Sequence, residues 1–128
     1  MGIGLPDQIV KAVGMGIDMF DTVIPTRYGR HGAAFTRKGK VSLGNLQFAD
    51  DFGPIDATCD GICCKNYTRS YIRHLLNQNE ITALHLISYH NVNFYVKLMA
   101  QIREAIEADQ YQAFEKNFLK EYGSELAK

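Results

Sequence analysis

The sequence predicts an α/β chain that opens with a short strand–helix–strand unit and ends in packed helices. Three observations carry this. Residues 17–24 form an apolar run rich in β-branched and aromatic side chains, stopped by Pro25. Before it, Pro6 and Asp7 open a helical stretch that Gly14 and Gly16 close. Beyond Tyr67, apolar residues recur at helical spacing to the end.

The elements follow in order. MGIG, residues 1–4, reads as the end of a strand running into a glycine turn. The helix after it has an acid near its positive end and an apolar stripe of Ile9, Val10 and Val13. Residues 17–24 are the second strand, which makes a right-handed βαβ unit. This strand carries two acids, Asp18 and Asp21. Acids inside an apolar strand are costly unless hydrogen-bonded or useful. A turn-rich segment beyond Pro25 holds Arg27, Arg30 and His31, cations that suit an anion such as phosphate. An α/β enzyme places its acid in this way, at the C-terminal mouth of a sheet.

Residues 33–43 read as a β-hairpin turning at Lys38-Gly39. Residues 45–58 are irregular, with Asp50, Asp51, Gly53 and Pro54 as turn formers. Helices then follow. One has Tyr71, Leu75 and Leu76 on a stripe. A polar break at residues 77–79 leads to a segment over 80–88. Asn91 caps a long helix over 92–108, lined by Phe94, Tyr95, Leu98, Met99, Ile102 and Ile106. A last helix over 111–122 carries Phe114, Phe118 and Leu119 before a frayed tail.

At 128 residues this is one domain by size, or part of one. Fourteen basic residues balance fourteen acidic ones, so net charge implies no partner. No apolar run reaches transmembrane length, and the first fifteen residues lack a secretory pattern. The three cysteines crowd into CDGICC, which suits a metal clip better than a disulfide framework. A reducing, cytoplasmic compartment is expected. Cys59, Cys63 and Cys64 with His90 form a common zinc set, of a structural kind, with His74 and His85 as reserve ligands. Two strands and one helix cannot close a parallel sheet, so the chain reads as the C-terminal part of something larger.

The motifs MGIG, GIDMFDTVIPTR, GRHG, CKNYTRSYIRHL and YHNVNFY together resemble the tRNA-guanine transglycosylases, also called queuine tRNA-ribosyltransferases. The resemblance runs from Met1 to about Tyr122. It implies a fold: the C-terminal part of a (β/α)8 TIM-type barrel with an inserted zinc-binding subdomain and C-terminal helices. Residues 1–32 are then the last βαβ portion, 33–90 the hairpin and zinc subdomain, and 91–128 the C-terminal helices. It also implies a reaction in queuosine biosynthesis, the exchange of guanine at the tRNA wobble position for queuine or its deazaguanine precursor.

By resemblance Asp21 is the nucleophile that forms a covalent ribosyl–enzyme, as in retaining glycosyl transfer. Asp18, three residues earlier on a strand, faces the other side and is scaffold. Arg27 and Arg30 match arginines that hold the anticodon loop, and Met1 and Gly2 match a pair that packs on the bound base. Members pair as homodimers through the zinc and helical region, which would put Tyr71 and His74 near a partner.

The chain departs from the family at Leu5, where many members have a basic residue, and at Thr22, where a Cys is common. It departs most at the metal. The family pattern is Cys-x-Cys-x-x-Cys with a distant His. Cys59, Cys64 and His90 align, but Gly61 stands at the middle position. Either Cys63 takes that place by a loop adjustment or the site is weakened. The second catalytic carboxylate and the base-recognition groups are absent from this sequence. The expectation is therefore an incomplete, inactive fragment of a transferase, with a non-catalytic RNA-binding or dimerisation module as the alternative.

Overall fold

The computed structural model describes residues 1–123. These residues are mostly helical. Helix α1 spans Pro6–Gly14 and α2 spans Ile24–Arg30. Strands β1, Ala33–Thr36, and β2, Gly39–Ser42, make an antiparallel hairpin. A 3-10 turn at Leu46–Phe48 precedes α3, Ile62–Asn66, and α4, Arg69–Asn77. The long α5 spans Ile81–Glu107, and α6 spans Tyr111–Glu121. The tail beyond Gly123, expected to fray, lies outside the described residues.

Several local readings hold. Pro6 starts α1, and Gly16 follows its end with φ at 95°. The hairpin pairs Ala34 with Val41 and Thr36 with Gly39, so its loop is Arg37-Lys38, one residue earlier than expected. Thr36 Oγ1 accepts from the Lys38 N–H at 3.3 Å and donates to the Gly39 carbonyl at 2.8 Å. The polar break after α4 is real: Asn79 adopts φ 57° and the Glu80 N–H bonds back to the Leu75 carbonyl at 2.9 Å.

Others are corrected. Neither residues 1–4 nor residues 17–23 are in a strand, and no βαβ unit forms among the described residues. Strand character requires a paired neighbour, and β-branched content alone does not supply one. The two segments do lie side by side. The Gly2 N–H reaches the Asp21 carbonyl at 3.4 Å, and a Cβ on Gly4 would stand 2.6 Å from Thr22 Cβ. The turn-rich segment after Pro25 is helix α2, with Pro25 in its first turn. Asn91 caps nothing: α5 runs unbroken through it. On α4 the buried stripe is Ile72 and Leu75, while Tyr71 is exposed and stacks on Tyr67. Ile106, expected to face inward, is exposed.

The core has two parts, divided by β1. Alternation along the strand sends Ala34 to one side and Phe35 to the other. On the first side Leu43, Phe48, Ile55, Ile72 and Ile87 bury Cys63. On the second, Ile9, Val10, Tyr95, Leu98, Ile102 and Phe118 gather around Phe35. Tyr95 hydroxyl donates to the Gly4 carbonyl at 2.6 Å, which ties the N-terminal segment to α5.

Helix α2 packs on α5 at Gly29, where an added Cβ would stand 2.8 Å from the Ser88 Cα. Helix propensity favours Ala over Gly by roughly 0.8–1.0 kcal/mol. Overpacking against backbone costs about 1–3 kcal/mol. The clash should win, so Gly29→Ala is expected to lower the denaturation midpoint. A midpoint equal to or above that of the parent would show that α2 moves off α5 freely.

Candidate metal centre

Cys59, Cys64 and His90 converge. One donor atom from each lies within 4.8 Å of the others. Cys59 comes from the loop before α3, Cys64 from α3, and His90 from the buried side of α5. Asp56 shapes the loop. Its Oδ1 accepts from the Thr58 N–H at 2.8 Å and the Thr58 hydroxyl at 2.7 Å, and its Oδ2 from the Arg37 N–H at 2.7 Å. Burial pushes the Asp56 carboxyl up, but these donors outweigh it and hold the group below the usual range. The hairpin tip is thereby fixed to the metal loop.

His90 is 1% exposed. Its Nε2 lies 2.7 Å from the Phe35 carbonyl, which only accepts, so Nε2 carries the proton and donates. Nδ1 is left to face Cys64 Sγ at 3.3 Å. A metal-ligating histidine has its far ring nitrogen anchored in this way. Cys59 Sγ accepts from the Gly61 N–H at 3.4 Å and from Asn93 Nδ2 at 3.5 Å, bonds that favour a thiolate. Its thiol is drawn down to about 7, chiefly by hydrogen bonding with His90 and against the effect of burial. Burial is the largest influence on His90 and pushes it down. Hydrogen bonds to Cys59 and Cys64 overcome it and raise the imidazole to about 10.

The donor set fits zinc. With Zn–S near 2.3 Å and Zn–N near 2.0–2.1 Å, a tetrahedral ion would hold its donors roughly 3.5–3.8 Å apart. Two soft sulfurs and one oriented imidazole match that ion's preference. Bound there, zinc would join the loop, α3 and α5 through their side chains.

Cys63 is outside the set. Its side chain is fully buried in the first core part, and burial, with the charge of Cys59, pushes its thiol up to about 11. Adjacent residues on a helix point about 100° apart, so Cys63 packs while Cys64 faces Cys59 and His90. His74 and His85 are exposed and do not join the cluster. Sequence reasoning missed Asn93 and the Phe35 carbonyl. Asn93 was findable, since it lies three residues from His90 on one helix face.

The remaining candidate residues flank or lie on α2: Met1, Gly2, Asp18 and Asp21 before it, and Arg27 and Arg30 in its last turn. Asp21 is exposed, as is Asp18, and the Met1-Gly2 backbone lies alongside Asp21. Arg27 and Arg30 are exposed in the last turn of α2. His31 Nδ1 donates to the Arg27 carbonyl at 2.7 Å and closes that end. No helix among the described residues is long and apolar enough to cross a membrane.

Fold and site together define a helical module built on one hairpin, with a Cys-Cys-His cluster that could hold a metal ion. The family model described as queuine tRNA-ribosyltransferase matches residues 1–124, and this chain belongs to that family. The queuine tRNA-ribosyltransferase of Thermoanaerobacter sp. (strain X514) is 50% identical over 123 residues, which are 96% of this chain and 33% of that protein. That of Geobacillus thermodenitrificans (strain NG80-2) is 49% identical over 96% of this chain and 32% of its own length. The chain thus spans about a third of the length of the curated relatives it matches.

Proposed function

We propose that this chain is the C-terminal portion of a tRNA-guanine transglycosylase of the cytoplasm, a TIM-barrel enzyme that exchanges guanine at the wobble position for a deazaguanine base. The observation that carries the reading is the junction of residues 1–4 with 17–23. Asp21 and Gly2 meet there, on a chain half identical to queuine tRNA-ribosyltransferases. Met1, Ile3, Ile17, Met19 and Val23 are exposed around the same junction. Such an apolar edge suits strands that complete a larger sheet.

In this reading the Asp21 carboxylate attacks the ribose anomeric carbon. The bond to guanine breaks with its electron pair, and a second carboxylate, from the rest of the barrel, protonates the departing base. The second carboxylate, now ionised, takes the ring N–H proton of the incoming deazaguanine, whose nitrogen displaces Asp21 from the ribose with net retention and frees its carboxylate. Arg27 and Arg30 lie on one exposed turn, where guanidinium groups can grip phosphates and splayed bases of the anticodon loop. Met1 and Gly2 line the base. Zinc on Cys59, Cys64 and His90 holds the loop, α3 and α5 together, and the complete enzyme is a homodimer.

The test is exchange of labelled guanine into substrate tRNA. The 128-residue chain alone is expected to give no turnover. In protein completed with the missing barrel portion, Asp21→Asn should lower exchange by more than about a thousandfold, since a carboxamide cannot form the ribosyl ester. tRNA binding should stay near the parent level. Turnover by the chain alone would overturn the fragment reading. Binding that falls as far as activity would overturn the role of Asp21.

A further inference from the structure

The metal centre has three protein donors where zinc takes four. Among the described residues no fourth His, Cys, Asp or Glu joins Cys59, Cys64 and His90. The gap has a definite place. A Cβ built on Gly61 would stand 3.2 Å from Cys59 Sγ and 2.9 Å from Asn93 Nδ2, so a side chain at 61 would point into the site. Gly61 has φ −65° and ψ 155°, open to any residue, so glycine is not required there by the backbone. Asn93 does not fill the gap as a ligand, because its amide N–H group is turned to Cys59 Sγ. Cys63 does not fill it either. Reaching the metal would pull a fully buried thiol out of contact with the first core part.

The gap also has an access route. A cavity of about 160 Å³ is lined by Cys59, His90 and Asn93 on one wall, with Arg37 and Lys97 among its other residues. Cys59 and Asn93 are the two residues that bound the missing side chain, so the vacant direction opens on this cavity. Arg37 is ion-paired with Glu121 and Lys97 with Asp60, and the Asp56 carboxylate also lines the cavity, so its wall charges are largely balanced. Zinc sites closed by four protein ligands are structural, whereas those with an open position exchange their fourth ligand.

We propose that Cys59, Cys64 and His90 hold zinc with its fourth position open to the Arg37–Lys97 cavity, where it takes an exchangeable small ligand, a low-molecular-weight thiolate in preference to solvent. The preference follows from the softness of zinc, which favours thiolate sulfur over water oxygen. The site then differs from a closed clip in kind and not only in strength. The proposal rests on metal binding by these three residues, and the first step of the test examines that separately.

The metal-free chain is titrated anaerobically with Co2+ and followed by its thiolate-to-metal charge-transfer and ligand-field absorption. One ion per chain, with loss of binding in Cys59→Ser and Cys64→Ser, is expected. Adding 2-mercaptoethanol should then raise the charge-transfer band and shift the ligand-field bands in a saturable way. Gly61→Cys should raise the band by roughly half, from two thiolates to three, abolish the response to added thiol, and tighten zinc binding more than about tenfold. Cys63→Ala should leave the parent spectrum unchanged. No stoichiometric binding would overturn the metal site itself and the open position with it. Binding without a thiol response, or a band that Cys63→Ala diminishes, would overturn the open position and leave the metal site standing.

Discussion

Asn91→Ala is expected to cost this chain about 3–5 kcal/mol, a large part of the roughly 5–15 kcal/mol that holds a domain of ordinary stability. Asn91 is completely buried in the middle of α5. Its Oδ1 accepts from the Phe35 N–H at 2.9 Å, and its Nδ2 donates to the Pro25 and Ala33 carbonyls, each at 2.9 Å. One amide thus joins α5 to the start of α2 and to β1. Truncation leaves the Phe35 N–H and the Ala33 carbonyl unpaired, at about 1–3 kcal/mol each before any water enters, while the Pro25 carbonyl keeps its helical partner and the lost side-chain volume adds the rest.

Asn91→Asp separates hydrogen bonding from volume. It keeps the shape and the acceptor for Phe35. It also sets a second oxygen against two carbonyls and buries a charge, so it should be no better than Ala. Denaturant titration followed by circular dichroism gives both values, with unchanged slope as the check that the transition stays two-state. A loss below about 1 kcal/mol for Ala, or a stable Asp variant, would remove Asn91 from the centre of this account.

His90→Ala should act in two separable steps. Without metal it strips the Phe35 carbonyl of its donor at a site 1% exposed, for about 1–3 kcal/mol. With metal it also removes the only nitrogen ligand. Zinc at a hundred times its dissociation constant stabilises the parent by about 2.7 kcal/mol, and a chelator removes that amount. The denaturation midpoint of the parent is therefore expected to fall on chelation, while that of His90→Ala is lower and indifferent to chelator. A parent midpoint unmoved by zinc or chelator would show that the cluster is not a folding metal site. A variant that still answers to zinc would show that His90 is not a ligand.

Local rules read some of this chain well. Pro6 and Gly16 bounded α1, Gly39 placed the hairpin, and Asn79 stopped α4, because each is a matter of backbone freedom within a few residues. The convergence of Cys59, Cys64 and His90 was also legible, since donor type and spacing marked the set and the family pattern singled out these three. Misreadings came where an outcome depends on distant partners. Residues 17–23 have strand composition, but a ladder is made between segments, and their neighbour here offers one backbone hydrogen bond. Asn91 looked like a cap because Asn favours helix ends when its side chain serves its own backbone. In the fold that side chain serves α2 and β1 instead, and the helix runs through.

Sequence by itself determined the family, the helical character of the second half and a cysteine–histidine set able to hold a metal, all properties of residue type and spacing. Tertiary structure decided whether Cys63 could join that set: it is packed in the core, while Cys64 turns toward Cys59 and His90. It also set Cys59 and Asn93, the neighbours of the position left bare by Gly61, in the wall of a cavity. The direction of a side chain on its helix, and the space left by a missing one, depend on what the rest of the chain brings against them.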